Sequence, residues 1–429
     1  MRTRHTFTIT NPDFKAQLLQ WSQQFEEVVW LDSNSHQQHY STYDTVLAVD
    51  AFTCISTDCQ QAFDQLQEYQ TITKDWIFGY FTYDLKNDIE HLKSEHVDGL
   101  DFPELFFFQP KKLFLITGDV VEMQYLKMVD DELESDLKDI AAYKLDQEGT
   151  PLTPVNIQMR LTKEQYLEKV NTMLAHIHRG DIYEANFCHE FYAEKTEIDP
   201  LETYIKLNTI SKAPFAAYFK NHQHYVLCAS PERYLTKINQ KVISQPIKGT
   251  ATRSTDTLID ENLKNELQNN PKERSENIMI VDLVRNDLAH TAKKGSVTVE
   301  ELCAVYTFEQ VHQMISTITS EVDANIPPVQ IVKTTFPMGS MTGAPKISAM
   351  QIIENLEATK RGLYSGSIGY FTPAGDFDFN VIIRSILYNA ENRYVSYSVG
   401  SAITSKSDPL KEFEECLIKA KAMKEVLEN

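Results

Sequence analysis

The 429-residue chain reads as an α+β protein built on large, mainly antiparallel sheets. Three observations predict this. Strand-like segments outnumber the helices between them, so the order is not the regular βαβα alternation of a parallel sheet. One helix, opening near Thr162, carries explicit start and stop signals. Hydrophobic residues make up 42% and charged residues 24% of the chain, an ordinary globular composition that excludes global disorder.

In order along the chain, 76–84 and 112–117 read as strands and 130–144 as a charged helix. The stretch 147–154 carries a Gly and two Pro with little apolar content, which predicts a linker over 146–157. It separates an N-terminal region, 1–145, from a catalytic region, 158–429. Thr162 followed by Gln165 is a capping box. Tyr166, Leu167, Val170, Met173, Leu174 and Ile177 then recur at helical spacing, and Gly180 suits the position just past the end. Strands are predicted over 182–191, 225–229, 242–247, 366–371, 381–388 and 394–399, and helices near 274–290, 345–357 and 409–427. There is no internal repeat.

The formal net charge of −20 is a poor match to nucleic acid, which demands a basic surface. No apolar run approaches the ~20 residues of a membrane span, and the first residues lack the apolar core of a signal peptide. Six Cys without a CxxC pair suggest reduced, mostly buried thiols in a cytoplasmic protein.

Several residues stand in chemically suggestive positions. Glu276 heads an apolar stripe through Met279, Ile280 and Leu283; it either complements the helix dipole or serves as a ligand. Asp408 and Pro409 open the last helix, and Glu412 and Glu415 share one face of it. Two like charges side by side fit either a solvated first turn or a hard cation such as Mg²⁺. The segment 339–346 resembles a phosphate loop only superficially, because Ala344 and Pro345 separate its Gly and Lys from the required pattern. Arg384, read as lying in a strand with Ile382, Ile386 and Tyr388 on its face, requires a carboxylate from the protein or from a ligand. Lys248, between an apolar strand and Gly249, is either a solvated strand end or an amine placed for attack.

Taken together, Ser230–Arg233, Pro246–Thr250, Glu276–Asp287, Phe336–Lys346, Arg361–Tyr370 and Asp408–Cys416 resemble, in order, the motifs of the chorismate-utilising enzymes. This family includes anthranilate synthase component I, aminodeoxychorismate synthase component I, and the isochorismate and salicylate synthases. Gly79–Asp84 is similar to the N-terminal region of its synthase members. The resemblance implies an anthranilate synthase component I-like fold, with sheets packed together and helices outside. It also implies Mg²⁺ held by Glu276, Glu412 and Glu415, and Glu232 as acid/base at the departing hydroxyl. Gly249, Thr250, Tyr364, Arg384 and the backbone of Gly400, Ser401 and Ala402 would hold chorismate. Lys248 matches the lysine of the aminodeoxychorismate synthase branch, which is held to attack the ring, expel the C4 hydroxyl and be displaced by ammonia. Anthranilate synthases carry a small or apolar residue there.

Three departures from the family pattern stand out. Glu184 replaces the Gln of the amino-transferring members and the lysine base of the isochorismate branch. Gln313 replaces a His linked to pyruvate elimination, and His312 beside it faces the other side of a strand. Ser401 and Ala402 replace glycines. No Cys has the flanking glycine of a glutaminase nucleophile, so a separate glutamine amidotransferase subunit is implied as the ammonia source. A lyase would then release 4-aminobenzoate for folate synthesis. The alternatives are anthranilate synthase component I and, from another class, a silent chorismate- or tryptophan-binding regulatory subunit.

Overall fold

The computed structural model describes residues 2–36, 39–90, 92–145, 153–308 and 311–428. Among the described residues, twenty strands form one continuous ladder, antiparallel at every strand pairing. Two long strands, Thr45–Thr57 and Leu105–Thr117, divide it into two arms. Their mutual register shifts between Ala51 and Thr53, next to Asp50, which has a positive φ of 60°. An irregularity of this kind bends a strand and lets it serve two sheets.

The first arm runs outward through Glu27–Asp32, Phe215–Asn221, His224–Ser230, Ser385–Asn389, Tyr394–Thr404 and Glu184–Ala193. The second runs through Ile77–Phe81, Ser367–Phe371, Phe377–Asn380, Arg233–Ile238, Lys241–Gln245 and Val311–Glu321. Alternating side chains show how the arms pack. Val29, Ala48, Phe219 and Val226 join the core that also holds Tyr80, Phe106 and Leu235 of the second arm. Val28, Leu47, Tyr218 and Leu227, one residue out of step, belong to a separate core with the helices Lys163–Arg179 and Pro409–Glu428. The Phe219 ring meets Tyr80 edge-on at 5.2 Å across the interior. The result is a sandwich of two antiparallel arms with helices on the outside, the α+β architecture expected.

Most predicted elements appear where the pattern put them. Thr162 and Gln165 form the reciprocal capping box, and Gly180 closes that helix in the left-handed conformation. The charged segment 130–144 is a short 3₁₀ turn followed by the helix Leu133–Ala142. One strand is corrected: 381–388 does not run continuously. Phe377–Asn380 and Ser385–Asn389 are separate strands, and the chain turns between them with Arg384 at φ +54°. Of the predicted linker, 146–152 lies outside the described residues. Beyond it, the Val155 N–H donates to Leu427 O at 2.7 Å, tying the chain to the last helix. The N-terminal region is woven into the catalytic one, since Ile77–Phe81 pairs with Ser367–Phe371 and Glu27–Asp32 with Phe215–Asn221.

Candidate active site

Two helices bring the acidic residues together. Asn270 caps Pro271–Ala289 by accepting from the N–H groups of Lys272 and Glu273, and Pro271 takes the first helical position. Asp408 likewise caps Pro409–Glu428 by accepting from Leu410 and Lys411. Glu276 and Glu412 are both buried, which removes the solvated-first-turn reading for Glu412. The Lys272 ammonium lies between them, 3.4 Å from Glu412 Oε1 and 3.8 Å from Glu276 Oε1. Glu412 also accepts a short hydrogen bond from the Ser401 hydroxyl. Glu415 is half-exposed and pairs with Lys419 at 2.6 Å. Burial pushes its pKa up, but Lys419, Lys272 and Lys248 overcome that effect and hold it below the ordinary value.

Among the described residues, no three His, Cys, Asp or Glu side chains close on one point. The donor chemistry nevertheless suits a hard cation. Glu276 Oε1 is buried with no hydrogen-bond partner among the described residues, burial pushes the Glu276 pKa up to about 7, and a lysine ammonium already stands between two of the carboxylates.

Lys248 lies on the strand Ile247–Thr252, whose pairing with Val311–Glu321 shifts register between Ile247 and Thr250. Gly249, at φ +94°, makes that irregularity possible. The shift turns Lys248 inward: its side chain is 11% exposed and its Nζ lies 3.0 Å from Glu184 Oε1. Burial disfavours the ammonium, but the carboxylates of Glu184, Glu276 and Glu232 outweigh it, and the pKa rises above the usual lysine value. Lys248 is therefore a charged group inside a carboxylate cage, not a solvated strand end. Glu232 is buried beside it. Burial pushes the Glu232 pKa up to about 7, against the opposing effects of a Ser340 hydrogen bond and the Lys248 charge. Such a carboxyl is poised between acid and base near neutrality.

Arg384 sits in the turn described above, its carbonyl accepting from the Ala229 N–H at 3.2 Å. Burial depresses its pKa, with Tyr364 and Glu415 acting against that shift. Its guanidinium has no ion-pair or hydrogen-bond partner among the described residues, so the structural ion pair, one of its two sequence readings, is not formed. A partly buried, unpaired guanidinium suits an anionic ligand. It lines a cavity of about 120 Å³ together with Thr250, Gln313 and Lys419. Gln313 Oε1 is buried there without a partner among the described residues. His312 points away, to Asp260 at 3.0 Å, as its strand position predicted. Tyr364 is buried, its hydroxyl 3.8 Å from the Cys188 thiol.

Gly400 packs so closely on the next strand that a Cβ there would lie 2.6 Å from Cys188 Sγ. Its carbonyl accepts from Lys419 at 2.9 Å. Ser401 turns its hydroxyl to Glu412, and Ala402 pairs with Asn186 in the ladder. Lys346, which ends the loop resembling a phosphate cradle, is engaged with Asp287 at 3.0 Å and with the Thr335 carbonyl at 2.9 Å.

Sequence reasoning did not identify Lys272, Lys419 or Ser340 as parts of the site. The first two had a readable signal, since each lies four residues from a predicted acidic ligand on the same helix. Glu184 was visible only as a departure from pattern, and its pairing with Lys248 joins two distant strands.

Known proteins resemble this chain in sequence and in fold. A family model described as chorismate binding enzyme matches residues 26–425. An anthranilate synthase component I-like protein of Synechocystis is 35% identical over 82% of this chain and 73% of its own length. Aminodeoxychorismate synthase component 1 of Bacillus subtilis is 32% identical over 82% of this chain and 76% of its own. The Escherichia coli protein of the same name is 37% identical over 63% of this chain and 59% of its own. Among solved structures, anthranilate synthase component I from Streptococcus pneumoniae superposes with a TM-score of 0.79 at 23% identity, covering 91% of this chain and 93% of that one. The sandwich, the ordered motifs and this match over nearly the whole chain establish that the chain belongs to the family of chorismate-binding enzymes.

Proposed function

We propose that the chain is the synthase component of an aminodeoxychorismate synthase, converting chorismate and ammonia to 4-amino-4-deoxychorismate. The observation that carries this reading is Lys248: a buried amine, paired with Glu184 and close in charge to Glu232 and Glu276. The relatives named aminodeoxychorismate synthase component 1 support it independently. In this reading the Lys248 amine adds to the ring while Glu232, in its protonated form, gives its proton to the departing C4 hydroxyl. Arg384 binds a substrate carboxylate through its free guanidinium, with Tyr364, Gly249, Thr250 and the backbone of 400–402 shaping the pocket. Glu276, Glu412 and Glu415 would hold a Mg²⁺ ion, which supplies charge neutralisation for the second carboxylate. The protein would act in the cytoplasm with a glutamine amidotransferase subunit as its ammonia source.

A second reading, anthranilate synthase component I, draws on the name of the Synechocystis relative. Product identification separates the two. Chorismate, ammonium salt and Mg²⁺ should yield a product that becomes 4-aminobenzoate only after an aminodeoxychorismate lyase is added. Fluorescent anthranilate formed without the lyase would overturn the proposal in favour of the second reading.

A further inference from the structure

Glu184 opens the strand Glu184–Ala193 and pairs across the ladder with Thr404 on one side and Ala344 on the other. Its side chain is 1% exposed. One oxygen is 3.0 Å from Lys248 Nζ, and the other has no hydrogen-bond partner among the described residues. Burying an ion pair costs several kcal/mol per ion in desolvation, and a half-satisfied carboxylate recovers little of it. Stability alone is therefore a weak reason for this arrangement. The amine needs to lose a proton before it can attack, and the carboxylate in contact with it is the nearest acceptor.

We propose that Glu184 is the base that deprotonates Lys248 for attack and the acid that reprotonates it on departure. This rests on the reading of Lys248 as nucleophile. A proton passes from Nζ to Glu184, and the freed lone pair forms a bond to C2 of the ring. The two conjugated double bonds shift, the C4–O bond breaks, and the leaving oxygen takes the Glu232 proton to depart as water. Ammonia then bonds to C4, the double bonds shift back, and the C2–N bond breaks. Glu184 returns its proton to the lysine nitrogen, and the surplus proton on the new C4 ammonium resets Glu232. The net change is chorismate plus ammonia to 4-amino-4-deoxychorismate plus water.

The charged groups around Lys248 are Glu184, Glu232 and Glu276, with Glu273 and Glu415 also sensing its charge. Of these, Glu184 is the one in hydrogen-bond contact with it. The experiment follows adduct formation on the Lys248 peptide by quenched mass spectrometry, with chorismate and Mg²⁺ but no ammonia, from pH 6 to 9. Wild type should form the adduct at a rate that falls only as Glu232 loses its proton, near pH 7. Glu184→Gln should form it at least tenfold more slowly at pH 7. Its rate relative to wild type should then climb about tenfold per pH unit as solvent removes the proton in place of the carboxylate. Chorismate affinity, measured by calorimetry, should change less than threefold, which distinguishes lost chemistry from a disturbed site. Glu184→Asp, keeping a carboxylate at longer reach, should fall between the two and serves if Glu184→Gln does not fold. If either variant forms the adduct at the wild-type rate with the wild-type pH profile, the role assigned to Glu184 is wrong while Lys248 keeps its own. If wild type forms no adduct at all, the nucleophilic reading of Lys248 itself fails.

Discussion

The Lys272 ammonium lies between Glu276 and Glu412, so a divalent ion held by these carboxylates in the proposed reading would compete with it. EDTA should abolish turnover, and Glu415→Gln should abolish it or weaken its Mg²⁺ dependence; full activity of that variant in EDTA would rule out the metal assignment. Lys272→Met should lower the Mg²⁺ concentration for half-saturation several-fold in calorimetric titration, because two carboxylates lose their competing ammonium. Glu232 gives a pH prediction with a definite sign. A general acid works protonated, and this carboxyl titrates at about 7, so at fixed free ammonia kcat should fall as pH rises through that value. Glu232→Gln should erase that limb and lower kcat by about 10²–10⁴-fold. Lys248→Ala should abolish 4-amino-4-deoxychorismate formation while chorismate still binds, and Lys248→Arg should not rescue it, because a guanidinium stays protonated. Near-normal product from either variant would exclude the covalent route. At this scale the sequence pointed to the candidate side chains but not to their state. A nucleophilic amine calls for an environment that disfavours its ammonium, yet Lys248 sits among carboxylates that favour it. An amine with an ordinary pKa near 10.4 is already neutral in only about one molecule in 2,500 at pH 7. The cage makes that fraction smaller still and turns the question from a free amine to a local proton acceptor.

Elements were legible wherever a local signal defined them. The capping box at Thr162, the Asp408–Pro409 helix start and the period of the strands are short-range patterns, and each reappears in the fold. The strand read over 381–388 failed because its period-two pattern runs on through Arg384 while its backbone does not. Val381 to Arg384 leave the ladder, and Arg384 adopts a left-handed φ that nothing in its side chain announces. That turn presents the guanidinium to the cavity, so the error falls at a residue of the site. Strand crossing was equally invisible. Gly79 stands opposite Gly369, and a Cβ on Gly79 would lie 1.9 Å from the Phe106 carbonyl oxygen. The obstacle is backbone and cannot rotate away. Gly79→Ala should therefore destabilise the protein by about 3 kcal/mol, at the upper end of overpacking costs, read as a lower urea midpoint. An unchanged midpoint would show that the neighbouring strands Ile77–Phe81 and Leu105–Thr117 tolerate more separation here than the packing implies.

The molecule as a whole places its N-terminal strands inside the ladder that carries the site, so no part of the sandwich is a detachable module for generating ammonia. The cysteines point the same way. A glutaminase thiol has to ionise readily, which requires a pKa lowered by a neighbouring base or cation. Burial does the reverse at every Cys of this chain: Cys59 and Cys188 are pushed up to about 12, Cys228 and Cys416 to about 11, and Cys54 and Cys303 are raised as well. All six remain free thiols, and only Cys54 is exposed. The purified chain should accordingly aminate chorismate with ammonium salts and fail with glutamine. At constant total ammonium its rate should rise with pH as NH₃ replaces NH₄⁺, until the loss of the Glu232 proton counteracts it. Alkylation of the exposed Cys54 with iodoacetamide should leave the ammonium-dependent rate unchanged, because no thiol takes part. Adding a glutamine amidotransferase subunit should confer glutamine-dependent turnover that iodoacetamide abolishes through the partner's thiol. Glutamine-dependent product from this chain alone would mean that a nucleophile capable of hydrolysing the amide exists within it, and the two-component arrangement would have to be abandoned.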